Sequence, residues 1–121
     1  GQAAESFGIP AVNGAKVLLD AFNKGAAPAP YNKVGFGGMK LEFVYVDEAG
    51  GATKQVQELK TLYDREKVDA VLGYVSSGDC LAVAPAAEEM KKFLILYDCG
   101  TPRIFEEALI LGDPDCPFAP F

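Results

Sequence analysis

The sequence predicts a three-layer α/β/α sandwich around a mainly parallel sheet. Two observations predict it. Segments of helical and extended periodicity alternate in the order α-β-α-β-α-β, which calls for parallel strands joined by right-handed crossovers. Two of the extended segments, DAVLGYV within residues 68–75 and FLILY at 93–97, are almost wholly apolar. Such runs suit strands covered on both faces, as in a parallel sheet, better than strands with one wet face.

Residues 9–23 read as the first helix. Val12, Ala15, Leu18, Leu19 and Phe22 recur at helical spacing, Pro10 fits the first turn, and Lys24-Gly25 supplies a stop. The Gly/Pro-rich stretch GAAPAPYNKVGFGG follows as a loop, with GFGG at 35–38 a turn before the next strand. In MKLEFVYVD, residues 39–47, Leu41, Phe43 and Tyr45 alternate with Glu42, Val44 and Val46. That pattern predicts a strand, placed toward a sheet edge by Glu42. Residues 52–66 form the second helix, with Val56, Leu59, Leu62 and Tyr63 on one stripe. Residues 78–92 form the third, with Leu81, Val83, Ala84, Ala87 and Met90 inward and Pro85 expected to kink or shorten it. The expected core includes Leu18, Phe43, Leu59, Val71, Leu72, Leu94 and Ile95.

The chain of 121 residues is half hydrophobic, which suffices for one core, and it reads as a single domain. With 17 acidic and 11 basic residues its net charge is −6, and its lysines are scattered. Nucleic acid, which needs a clustered basic face, is excluded as a partner. No stretch is long and apolar enough to span a membrane. There is no histidine, so no Ser-His or Cys-His nucleophile pair is available within the chain. No metal pattern and no nucleotide-binding glycine motif is present. We therefore expect no catalytic residues, no metal and no cofactor. The spacing of Cys80, Cys99 and Cys116 leaves two states open: one disulfide with a free thiol, or three reduced thiols.

In a parallel sheet, ligands bind outside the carboxyl ends of the strands. That edge gathers Asp47-Glu48, Ser76-Ser77-Gly78 and Asp98-Cys99-Gly100-Thr101. A serine at a helix start caps backbone N–H groups. The same groups also hold anions, helped by the helix dipole, and Gly78 lets the backbone approach a ligand. Two hydroxyls stand where a cap needs one, and the neighbouring strand ends in a matching small polar turn, which favours binding. Asp47 reads as a loop acid, and Glu88-Glu89 and Glu106-Glu107 as solvated faces.

The segments GIPAVNGAKVLLDAFN and QVQELKTLYDREKVDAVLGYVSSGDCLAVAPAAEEMKKFLILYDCGTPRIFEE resemble the amino-terminal lobe of type I periplasmic binding proteins. The nearest group is the branched-chain amino acid and amide receptors of ABC transporters. The resemblance implies a Rossmann-like, flavodoxin-like lobe that recognises an amino acid or related small carboxylate and is not an enzyme. It implies a periplasmic location and, for the full-length family, a membrane permease as partner. Ser76, Ser77, Gly78, Cys99, Gly100 and Thr101 are nominated as ligand-binding residues. Cys80 and Cys99 are implied to lie within disulfide reach, with a pairing through Cys116 as the alternative.

The family has two lobes joined by hinge strands and a first strand ahead of the GQAAESFG region. Relative to it the chain reads as a single, truncated lobe over residues 1–121. Residues 108–121, ALILGDPDCPFAPF, resemble that first strand and its ligand loop. Two placements stand for Ala108 to Gly112: the missing central strand, provided by the tail of this chain or exchanged with a neighbour in a homodimer, or an edge strand beside FLILY. A flavodoxin-like regulatory or phosphoryl-transfer domain using Asp47 or Asp98, and an inactive structural fragment, are the competing functions.

Overall fold

The computed structural model describes residues 4–104. The expected strand at Ala108 to Gly112, the alternative pairing through Cys116 and the Glu106-Glu107 face lie outside those residues. The chain divides into two compact units, residues 3–47 and residues 48–121 apart from the extreme amino terminus.

In the first unit a π-helical turn, Ala4–Gly8, leads into α1, Ile9–Lys24. Gly25 ends α1 in the left-handed conformation, φ 68°, its N–H returning to the Ala21 and Phe22 carbonyls. Val12, Ala15, Leu19 and Phe22 are half-buried, but Leu18 is exposed and no residue of α1 is fully buried. GFGG is a tight turn closed by an antiparallel bridge between Phe36 and Met39. Gly35 is required there: its φ is 64°, and a Cβ would meet the Met39 carbonyl oxygen at 1.8 Å.

Residues 40–47 correct the expectation of a strand. They have no ladder partner among the described residues. Period-two alternation favours an extended backbone, but a strand also needs a neighbour to take its N–H and C=O groups. Here the Asn23 side-chain amide does part of that work. Its Oδ1 accepts the Leu41 N–H and its Nδ2 donates to the Leu41 carbonyl, both at 2.7 Å. Phe43, expected in the core, is half-buried.

The second unit holds the parallel sheet. Helix α2, Gly51–Asp64, precedes β1, Val71–Gly73; α3, Ser77–Glu89, follows β1 and precedes β2, Leu94–Leu96. The strands pair in parallel, with Val71 opposite Leu94 and Gly73 opposite Leu96. The core lies between the sheet and the two helices: Leu59, Leu62 and Tyr63 from α2, Val71 from β1, and Val83, Ala86 and Ala87 from α3. The alanines let α3 approach closely. Tyr63 satisfies its buried hydroxyl by donating to the Phe93 carbonyl, which also accepts the Val71 N–H at 3.2 Å.

The apolar runs are less buried than their composition predicts. Val71 is buried and Leu94 and Leu96 pack on the core, whereas Leu72 is 54% exposed and Ile95 39%. Side chains alternate along a strand, and within this unit α2 and α3 cover one face only. Pro85 does not shorten α3. Its own side chain is exposed, and the helix runs through it to Glu89.

Candidate functional site

The register that pairs Gly73 with Leu96 brings the carboxyl ends of β1 and β2 to one edge. Two turns leave that edge, residues 74–76 into α3 and residues 97–101 after β2. A disulfide between Cys80 and Cys99, Cα–Cα 6.3 Å, ties the first turn of α3 to the second of these turns. The Cys99 Sγ also lies 3.8 Å from the Tyr74 carbonyl oxygen. A disulfide sulfur has no proton to donate, so this is a packing contact, and it sets the two turns side by side. Thr101 Oγ1 accepts the Arg103 N–H at 3.3 Å, a local turn bond.

The first turn divides its serines. Ser76 is the N-cap: its backbone is extended (φ −69°, ψ 122°), and its Oγ accepts the Asp79 N–H at 3.4 Å. Its carbonyl accepts the Cys80 N–H at 2.9 Å. Ser77 is the first helical residue. Among the described residues its hydroxyl, its N–H and the N–H of Gly78 have no acceptor or donor partner. Gly78 is exposed, has ordinary helical φ, and a Cβ there would meet only the Ser76 Oγ at 3.8 Å. Neither strain nor packing requires glycine at this position. Ser76→Ala therefore removes a cap, and we expect it to lower stability by about 1 kcal/mol in a urea titration.

Acidic groups lie on the inner side of the same turn. Glu48, placed at this edge by the sequence but given no role there, bonds the Val75 and Ser76 N–H groups. Asp79, at the third position of α3, is buried. Burial raises its pKa first; the charge of Glu48 and a hydrogen bond with it raise it further, against a hydrogen bond with Ser76. Tyr74 is pushed up to about 12, chiefly by burial and then by Glu48 and Asp79, so its phenol stays protonated. The Ser76…Asp79 pair has capping-box spacing with Asp in place of Glu; that signal is local and readable. The Glu48 contact spans 27 residues and has no local signal.

Among the described residues no three metal-ligating side chains cluster, and no helix is long and apolar enough to cross a membrane. The family model described as periplasmic binding protein matches residues 1–108 of the chain. No curated protein and no solved structure matches it.

Proposed function

This chain belongs to the periplasmic binding protein family, and we propose that it forms the solute-recognition lobe of an ABC-transporter substrate-binding protein for amino acids or related small carboxylates. One observation carries this reading. At the amino end of α3 the Ser77 hydroxyl and the Ser77 and Gly78 N–H groups have no protein partner among the described residues. They stand at the end of a helix dipole that favours negative charge. The Cys80–Cys99 bridge, which ties the first turn of α3 to the turn that carries Gly100 and Thr101, supports assigning that turn the second half of the grip. The role is binding, with no bond made or broken in the ligand. The disulfide supports an oxidising compartment such as the periplasm, and membership of the family supports a membrane permease as partner.

Nuclear magnetic resonance of the labelled chain titrated with L-leucine, glycine and acetate tests this. We expect saturable shifts at Ser77, Gly78, Gly100 and Thr101. Ser77→Ala should weaken binding by about tenfold, since a hydrogen bond to a charged group contributes about 1.5 kcal/mol. Unlike Ser76→Ala, it should leave the urea midpoint in place. Spectra unmoved by every one of these solutes would reject the reading. A homodimer belongs to the same proposal. Leu72, Phe93, Ile95 and Tyr97, exposed on one side of the sheet, support it, and a monomeric mass at all concentrations in sedimentation would exclude it.

A further inference from the structure

Glu48 does more at this edge than add charge. Both of its carboxylate oxygens accept the Val75 N–H, Oε1 at 3.0 Å and Oε2 at 2.8 Å, and Oε1 also accepts the Ser76 N–H at 2.7 Å. These two N–H groups fall between the last ladder residue, Gly73, and the first helical residue, Ser77, where neither sheet nor helix supplies an acceptor. The preceding residue, Tyr74, sits in the left-handed region at φ 66°. For a non-glycine residue that conformation is strained, so the bend needs partners that hold it. Charge-assisted bonds to a carboxylate are roughly twice as strong as neutral ones.

We propose that Glu48 is a positioning residue: an internal carboxylate that occupies the Val75 and Ser76 N–H groups, fixes the Tyr74 bend, and thereby leaves Ser77 and Gly78 as the donors a solute meets. The last clause rests on the solute-binding reading above; the first two do not. Of the titratable groups here, Asp79 from α3 and Tyr74 from the turn itself interact with Glu48, and Tyr63 and Glu58 from α2 interact in turn with Tyr74. Of these, Asp79 is coupled to Glu48 directly, by charge and by a hydrogen bond.

The test follows amide and carboxyl signals of the full 121-residue chain by nuclear magnetic resonance. Without solute, the Val75 and Ser76 amide protons should move together as the pH is lowered from neutral to acid. In Glu48→Gln that movement should vanish, and the Asp79 carboxyl should titrate at lower pH because the charge that raised it is gone. A purely structural contact elsewhere would leave the Asp79 titration in place. With L-leucine, wild-type shifts should saturate at Ser77 and Gly78 and spare Val75 and Ser76. In Glu48→Gln, Val75 and Ser76 should respond as well, with affinity lower by about tenfold. Wild-type Val75 and Ser76 amides indifferent to pH would overturn the proposal, and that result does not depend on the variant folding. Leucine shifts at Val75 and Ser76 equal to those at Ser77 would overturn the division of donors. No leucine shift anywhere would count against solute binding and that division, with the pH series still deciding the clamp.

Discussion

Replacing Cys80 and Cys99 together by serine is expected to lower the unfolding free energy by about 3 kcal/mol, and reduction of the native chain by a dithiol should do the same. The two cysteines are 19 residues apart. In the chain-entropy account, closing a loop of roughly that length restrains the unfolded chain enough to give this figure. For a domain whose total stability is on the order of 5–15 kcal/mol, that is a large fraction. The bond lies where the loss would matter for function. It joins the helix that carries Ser77 and Gly78 to the turn that carries Gly100 and Thr101, so reduction should broaden the signals of both turns before the core melts. Urea titrations with and without reductant check the claim. The native midpoint should fall with reductant, and the doubly substituted chain should not respond. A native midpoint unmoved by full reduction would refute it.

How much of this was readable in the sequence depends on how local each signal is. The stripe of Leu59, Leu62 and Tyr63 and the Val83, Ala84 and Ala87 set gave α2 and α3 their inward faces, and the structure buries all six. The parallel pairing of β1 and β2 follows from a helix lying between two apolar runs. Spacing alone left the cysteine pairing open, and only the resemblance to a family singled out Cys80 and Cys99. Three failures share a cause. Leu18, Leu72 and Ile95 were expected in the core because apolar residues sit there on average, yet whether a face is covered depends on what packs against it. Residues 40–47 have the alternation of a strand, but alternation does not supply a neighbour. The Glu48 carboxylate meets the Val75 and Ser76 N–H groups across 27 and 28 residues, a distance no periodicity reports.

Two leucines that the sequence places alike in the core should then respond very differently to truncation. Leu59 is fully buried at the centre of the core, among Leu62, Tyr63, Val71 and Val83. Leu59→Ala removes buried methyl groups and leaves a space that close-packed neighbours fill only in part, which costs about 2–5 kcal/mol. In so small a core we expect the midpoint of the urea transition to fall sharply, and the transition to lie close to the start of the titration. Leu72, in one of the two almost wholly apolar runs of the chain, keeps 54% of its surface in the monomer, so Leu72→Ala should cost about 1 kcal/mol or less at low protein concentration. If two copies associate through that face, the cost of Leu72→Ala should grow with concentration, because stability then includes association, whereas the cost of Leu59→Ala should not. Equal losses for the two variants at every concentration would mean that the Leu72 face is covered as fully as the Leu59 core, and would overturn the one-sided burial of the sheet.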